Sequence, residues 1–105
     1  MSESERIAVL DAHPRIGATR GLSPRSAAEQ GDADATDVAT FAILEELNDA
    51  YERRFGFRFV VFVAGRPRAA IVPVLRARLE RSRTEELTAG IEEFLAIARD
   101  RLARD

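Results

Sequence analysis

The chain has 105 residues, 46% of them hydrophobic and 32% charged, with a net charge of −2. This length predicts one domain, residues 1–105, and the composition excludes a disordered chain. The absence of cysteine excludes disulfides and thiolate-ligated metals, and it favours a cytoplasmic protein. No stretch approaches the roughly 20 apolar residues that a membrane helix needs, so we expect no membrane partner.

Arginine accounts for all 16 basic residues, and most of it lies in the second half of the chain. The arginine-rich stretch comprises Arg66, Arg68, Arg76, Arg78, Arg81 and Arg83. One hypothesis is therefore a nucleic-acid-binding helical domain. No known nucleic-acid-binding motif accompanies these arginines, which favours a solvated helix face and no nucleic-acid partner.

The first third of the chain predicts a bend followed by a short helix. The apolar patch at 7–10 is too short for an independent helix, although it can be the end of one. His13 precedes a proline, which favours an extended backbone and places this histidine on a bend. Ser23 as the N-cap and Pro24 at the first helical position then predict a helix that ends near Gly31.

Apolar residues at helical spacing predict three further helices. One begins near Asp37, and a second spans 68–79, with Pro73 either in its first turn or at a kink. The third opens with a capping box, Ser82-Arg83-Thr84-Glu85. Their apolar faces are Val38, Phe41, Leu44, Leu47 and Tyr51 in the first, Ile71, Leu75 and Leu79 in the second, and Leu87, Ile91, Phe94, Leu95, Ala98 and Leu102 in the third.

Residues 55–65, FGFRFVVFVAG, form the most apolar segment. Composition alone predicts a buried strand here. Since it is the only strand candidate, it has no predicted partner within the chain. These residues leave two alternatives open. The segment pairs with another chain, or it is a buried extended or helical connector.

One histidine and a group of polar residues form a candidate site. His13 is the only histidine, and its ordinary pKa lies near neutrality. Ser26, Glu29 and Gln30 are spaced i, i+3 and i+4, so they share one face of the predicted helix. Together these residues supply an acid–base group, a carboxylate and neutral hydrogen-bonding groups for a polar substrate. The alternative to a site is that His13 is a surface histidine and that the polar residues are an exposed helix face.

These residues lie in motifs that resemble the OHCU decarboxylase family, whose members convert 2-oxo-4-hydroxy-4-carboxy-5-ureidoimidazoline to (S)-allantoin in urate breakdown. The resemblance covers about residues 7–103, and its motifs have the forms HPxxG, SxxEQ and FGFxFV. The matching pieces are His13–Gly17, Ser26–Gln30, Leu47-Asn48 with Tyr51, Arg54–Phe57 with Phe59–Val61, Arg78-Leu79, and Glu86–Ala98 followed by Arg101-Leu102.

The resemblance implies an all-helical (all-α) fold, a homodimer, and no metal or organic cofactor. It implies that residues 55–65 are a buried extended connector within a small helical bundle rather than a strand. Family members carry several helices ahead of the HPxxG motif, whereas 12 residues precede His13 here. We therefore expect the chain to correspond to the C-terminal portion of the family domain, lacking those N-terminal helices.

The resemblance also implies roles for individual residues. His13 matches the family's catalytic histidine and Glu29 its catalytic carboxylate, and which of them delivers the proton stays open. The implied substrate-binding residues are Pro14, Ser26, Gln30, Val61 (through the main chain nearby) and Arg101. The implied function is a cofactor-independent decarboxylation of a small ureidoimidazoline. The alternative is a catalytically inactive helical interaction module derived from this family.

Overall fold

Four helices occupy the described part of the chain, which is residues 1–16 and 35–104 of a computed structural model, apart from the side chains of 35–37. They are α1 (Glu3–Asp11), α2 (Ala35–Phe55), α3 (Arg68–Leu79) and α4 (Arg83–Arg104). No strand occurs in these ranges, which confirms the all-helical class. The helix predicted from Ser23 to near Gly31 lies outside the described residues.

Helix α1 begins with a capping box that the sequence analysis did not identify. The Ser2 hydroxyl accepts a hydrogen bond from the main-chain N–H of Glu5 at 3.1 Å, and the Glu5 carboxylate accepts one from Ser2 at 2.9 Å. These bonds start the helix ahead of the apolar patch at 7–10, so that patch is the end of a helix.

The end of α1 packs closely against α4 where Leu10 meets Gly90. Leu10 is fully buried, and a Cβ atom on Gly90 of α4 would lie only 3.0 Å from the Leu10 Cδ1 atom. The absence of a side chain at Gly90 thus allows the two helices to approach each other here. His13 follows α1 directly, so this contact helps to place it.

Helices α2 and α3 pack against each other through their predicted apolar faces. Leu44 and Tyr51 of α2 and Ile71 and Leu75 of α3 are all buried. Pro73 lies in the second turn of α3, which excludes the predicted first-turn position. Because proline has no N–H to donate, the helix lacks one main-chain hydrogen bond at this point.

The capping box predicted at the start of α4 is confirmed. The Ser82 hydroxyl accepts from the N–H of Glu85 at 3.1 Å, and the Glu85 carboxylate accepts from that of Ser82 at 3.0 Å. The predicted apolar face of α4 is only partly covered: Leu87 is buried, whereas Leu95 and Leu102 are 40% and 74% exposed.

Residues 56–67 link α2 to α3 without a helix or strand and include a turn at 63–66, and we call this segment the connector. The chain leaves α2 through a left-handed backbone conformation at Gly56 (φ 81°), which glycine adopts without strain. The apolar side chains of the connector enter the core. Its buried members are Phe57, Phe59, Val60 and Val61.

Side chains of the helices bind the main chain of the connector. The Glu93 carboxylate accepts from the N–H of Phe62 at 3.2 Å, and Arg78 donates to the carbonyl of Val60 at 2.9 Å. Such bonds satisfy buried polar groups that a neighbouring strand would otherwise pair. The expected buried connector is therefore confirmed, and the strand predicted from composition alone is wrong.

The core lies where the connector meets all four helices. It comprises Leu10, Leu44, Tyr51, Phe55, Phe57, Phe59, Val60, Val61, Ile71, Leu75 and Leu87. Within the described ranges, no helix combines the length and the apolarity needed to cross a membrane.

Candidate active site

A cavity of about 710 Å³ lies at the C-terminal end of α1. Its size falls within the range of about 300–1,000 Å³ that is typical of small-molecule sites. The turn after α1, the connector and the last part of α4 form its walls. The lining residues are Asp11 to Ile16, Arg58 to Val61, Arg68, Ile97 and Arg101.

His13 is fixed in the cavity wall by main-chain and ring contacts. The main-chain N–H of His13 donates to the carbonyl of Leu10 at 3.1 Å. Its own carbonyl accepts from Arg58 at 2.6 Å. The edge of one ring meets the face of the other between the imidazole and Phe94, with ring centroids 5.0 Å apart. The Nε2 atom is enclosed and has no hydrogen-bond partner among the described residues.

Helix α2 holds the rest of this turn with polar side chains. Asn48, which is buried, donates to the carbonyl of Ile16 at 3.0 Å. Arg15 forms ion pairs with Glu52 and Asp49, both at 2.8 Å. These carboxylates raise the pKa of the Arg15 guanidinium. The motif around His13 is thus anchored at several points along α2.

The electrostatic environment favours a neutral His13. Burial lowers the pKa of the imidazole, and the positive charges of Arg101 and Arg58 lower it further. A neutral imidazole has one N–H donor and one lone pair, so it can either donate or accept a proton. Among the described residues, no cluster of three or more histidine and acidic side chains is suited to hold a metal ion.

Arg101 shares one face of α4 with residues that contact the connector. Glu93, Ile97 and Arg101 are spaced four residues apart, which places them along one side of the helix. Glu93 binds the N–H of Phe62, while Ile97 and Arg101 line the cavity. Val61, next to Phe62, lines the cavity as well. One helix face therefore fixes the connector and presents a cation beside it.

The structure brings together four of the predicted site residues. His13, Pro14, Val61 and Arg101 line the same cavity. The other three, Ser26, Glu29 and Gln30, lie outside the described residues.

Sequence reasoning missed three arginines of the cavity wall, Arg15, Arg58 and Arg68. Arg58 stands within the FGFxFV motif at the variable position, so no pattern distinguished it. Arg68 was assigned with its neighbours to a solvated helix face.

Most of the arginine-rich stretch is used within the chain. Arg66, Arg78, Arg81 and Arg83 each contact a carboxylate or a main-chain carbonyl. Within the described ranges, only Arg68 and Arg76 of this stretch make no such contact. These contacts do not support a free basic face of the kind that binds nucleic acid.

Comparisons with known proteins agree on one family. The model of the OHCU decarboxylase family matches residues 1–103. A Haloferax volcanii protein named 2-oxo-4-hydroxy-4-carboxy-5-ureidoimidazoline decarboxylase is 32% identical over 104 residues, which cover 97% of this chain and 62% of that protein. A bifunctional uric acid degradation protein of Bacillus subtilis is 35% identical over 100 residues, covering 90% of this chain and 20% of its own length.

A solved structure gives the same result for the fold. The crystal structure of an OHCU decarboxylase in the presence of (S)-allantoin superposes with a TM-score of 0.79 at 29% sequence identity. The match covers 99% of this chain and 69% of that one. The chain thus spans less than two thirds of the length of the Haloferax volcanii relative. With a family model matched over nearly all of its residues, the chain belongs to the OHCU decarboxylase family.

Proposed function

We propose that this chain decarboxylates 2-oxo-4-hydroxy-4-carboxy-5-ureidoimidazoline to (S)-allantoin in the degradation of urate. The observation that carries the proposal is that His13 and Arg101, both at motif positions of the family, line one cavity of small-molecule size. The names of the Haloferax volcanii relative and of the structural neighbour support this substrate class.

In this reaction the bond between the ring carbon and its carboxylate breaks, and CO₂ leaves. The electron pair stays on the ring carbon, where the adjacent C=N bond delocalises it. A proton then replaces CO₂, and it must arrive on one face of the ring to give a single enantiomer. The protein therefore has to hold the ring in one orientation and supply the proton from one side.

His13 and Glu29 are the groups that we propose for proton handling. The lowered pKa keeps the His13 imidazole neutral at neutral pH, so it can take a proton in one step and return it in another. Its contact with Phe94 limits the orientations of the ring. We leave open which of His13 and Glu29 delivers the proton to carbon.

Arg101 is proposed to orient the substrate together with Ser26, Gln30, Pro14 and the main chain near Val61. A guanidinium donates several hydrogen bonds in one plane, which suits the carbonyl oxygens of a ureido group or an imidazoline ring. No carboxylate of a described residue forms an ion pair with Arg101. No described carboxylate therefore competes with a ligand in the cavity for its donors.

Turnover of the chain tests the proposal. Urate oxidase and the hydrolase that follows it generate the unstable substrate in place, and circular dichroism follows the formation of (S)-allantoin. Spontaneous decay gives a racemate, so the optical signal separates catalysis from background. We expect His13→Asn to lower the rate by about 10²–10⁴-fold, the usual contribution of a general acid or base.

A matched pair of variants separates the role of Arg101 from a general effect of charge on α4. Arg101→Gln should raise KM by about tenfold, the loss expected for a charge-assisted hydrogen bond. Arg99→Gln removes the same charge two residues away, outside the cavity lining, and should leave KM unchanged. A folded wild-type chain with no optical signal would contradict the proposal and favour the inactive interaction module.

The homodimer stays a prediction, which sedimentation equilibrium of the purified chain checks. Apolar side chains at two ends of the fold lack full cover within one chain. Val38 at the start of α2 is 60% exposed, and Leu102 near the end of α4 is 74% exposed. A second copy that covers them would add apolar burial to the stability of the assembly.

A further inference from the structure

Arg68, the first residue of α3, is a cation of the cavity to which the proposed mechanism gives no role. Its side chain is exposed and lines the same space as His13 and Arg101. The guanidinium carbon lies over the ring of Phe41, 4.7 Å from the ring centroid. No carboxylate or carbonyl of a described residue bonds to this guanidinium. The described residues thus leave its hydrogen-bonding capacity unused.

Two further arginines of the cavity wall, Arg15 and Arg58, were also not predicted as site residues. Unlike Arg68, both are bonded to other parts of the chain. Arg15 is paired with Asp49 and Glu52. Arg58 donates to the carbonyls of Asp11 and His13. Both are used to hold the turn after α1 in place. Arg68 makes no such bond to any residue that the structure describes.

The contact with Phe41 prepares Arg68 to bind an anion. A guanidinium over an aromatic face is stabilised by the cation–π interaction while its N–H groups still point outward in the plane of the group. The stacked side chain has fewer conformations to lose when it binds a ligand. A planar, pre-oriented fork of this kind matches the two oxygens of a carboxylate.

We infer that Arg68 binds the carboxylate that the substrate loses, and that it thereby selects substrate over product. The inference rests on the proposed function. The substrate carries one carboxylate, which leaves as CO₂, and the product is neutral. An ion pair with Arg68 therefore exists before the reaction and has no counterpart in the product complex. Binding free energy from this pair favours entry of the substrate and does not delay release of (S)-allantoin.

Separate roles for Arg68, which binds the carboxylate, and Arg101, which binds carbonyl oxygens, suit a decarboxylation. The charges that lower the pKa of His13 are those of Arg101 and Arg58. A carboxylate drawn toward Arg68 leaves the ring carbon accessible to a proton from the His13 side. Arg101 then remains available for the carbonyl oxygens.

The test compares Arg68→Gln with Arg76→Gln, which removes an exposed arginine from the same helix outside the cavity lining. Two ligands that need no turnover are titrated calorimetrically: hydantoin-5-acetate, which carries a carboxylate on a related ring, and neutral (S)-allantoin. We expect Arg68→Gln to weaken hydantoin-5-acetate about tenfold, as for loss of a charge-assisted pair, and to change (S)-allantoin less than about twofold. Arg76→Gln should change neither.

Kinetics provide the second measurement. Arg68→Gln should raise KM about tenfold with a much smaller change in kcat, because the pair is present in the ground state and is kept in the transition state, before CO₂ has left. Arg68→Lys, which keeps the charge but not the planar fork, should lie between the wild type and Arg68→Gln. The inference is overturned if Arg68→Gln binds both ligands as the wild type does, if it weakens both equally, or if the wild type does not bind hydantoin-5-acetate.

The two proposals fail in different ways. A wild-type chain that binds hydantoin-5-acetate through Arg68 but gives no turnover would contradict the decarboxylase function and retain the carboxylate site. Normal turnover with an unchanged KM in Arg68→Gln would contradict the role of Arg68 and retain the function.

Discussion

The Nη1 atom of Arg58 donates a hydrogen bond of 2.6 Å to the main-chain carbonyl of His13. The same atom lies 3.2 Å from the carbonyl of Asp11, and the Asp11 carboxylate accepts from the main-chain N–H of Arg58 at 2.9 Å. Three bonds therefore join the connector to the turn that carries the histidine. We interpret Arg58 as a positioning residue, because it acts on the site through the backbone of His13.

Removing this anchor should lower activity without unfolding the chain. We expect Arg58→Met to reduce kcat by about 10–100-fold, because a misplacement of about 1 Å at a reacting group can cost that much. Steady-state kinetics with the coupled circular dichroism assay measures the effect. Arg53→Met, an exposed position on α2, is the control and should keep the wild-type rate. Equal rates in the two variants would refute a positioning role for Arg58.

The sequence was sufficient to predict α2, α3 and α4 because each has a local signal, whereas the capping box that starts α1 was not identified. The capping box at Ser82 is one example, and the spacing of Leu44 and Tyr51 is another. The connector differs, since its apolar composition predicts a strand. Its main chain is paired with side chains such as Glu93, which lies 31 residues from its partner Phe62. No local pattern predicts bonds of that separation, and the family resemblance supplied the correct interpretation.

The same reasoning applies to the site. His13 and Arg101 were predicted because they stand in motifs of the family, and both line the cavity. Arg58 and Arg68 line this cavity as well, but in the sequence each is one arginine among 16 basic residues. What separates them is their partners. Arg58 binds main-chain carbonyls of the turn, whereas Arg68 rests on the ring of Phe41.

The imidazole of His13 should titrate below its ordinary pKa of about 6.5. Burial is the main cause of the lowered pKa, and the charges of Arg101 and Arg58 add to it. Because His13 is the only histidine, one set of imidazole resonances in a proton–carbon NMR titration reports it directly. Arg101→Gln should raise this pKa toward the ordinary value, whereas Arg99→Gln should have a smaller effect. A pKa at or above 6.5 in the wild type would contradict the described environment.

The lowered pKa of His13 also makes the free energy of unfolding depend on pH. The unfolded chain binds the His13 proton more tightly than the folded chain does, so the contribution of this residue to stability is complete above about pH 6.5. It is lost as the pH falls through 6.5 toward the folded pKa. His13→Asn should lack this part of the pH dependence, which urea unfolding at several pH values between about 4 and 8 measures.

Tyr51 should resist ionisation until the chain unfolds in alkali. Burial and the hydrogen bond to Glu86 raise the pKa of its phenol well above the ordinary value of about 10. Since Tyr51 is the only tyrosine and tryptophan is absent, absorbance at 295 nm follows this group alone. The free energy of unfolding should fall as pH rises above about 10, because only the unfolded chain then loses the proton. Ionisation near pH 10 with unchanged helical circular dichroism would disprove this prediction.

Glu86 should be the most sensitive polar residue of the core. Its fully buried carboxylate accepts from Tyr51 at 2.8 Å and from Arg78 at 2.7 Å. Glu86→Gln leaves the buried Arg78 without its counter-charge, so we expect a loss of about 3 kcal/mol or more in the free energy of unfolding. Tyr51→Phe removes one hydrogen bond and should cost about 1–2 kcal/mol. Urea denaturation measures both losses, with Glu92→Gln, an exposed change on the same helix, as the control.

A double substitution separates the contribution of the buried pair Arg78–Glu86 to stability from the contribution of Arg78 to the cavity wall. Arg78 also donates to the carbonyl of Val60 at 2.9 Å, next to Val61 in the cavity wall. Replacing both charges by apolar residues, Arg78→Met with Glu86→Leu, should recover part of the stability that Glu86→Gln loses, because no buried charge is left unpaired, although the Tyr51 hydroxyl loses its acceptor. It does not recover the bond to Val60. We therefore expect the double variant to fold but to bind (S)-allantoin more weakly than the wild type. Wild-type affinity in that variant would show that the connector needs no tether from α3 to shape the cavity.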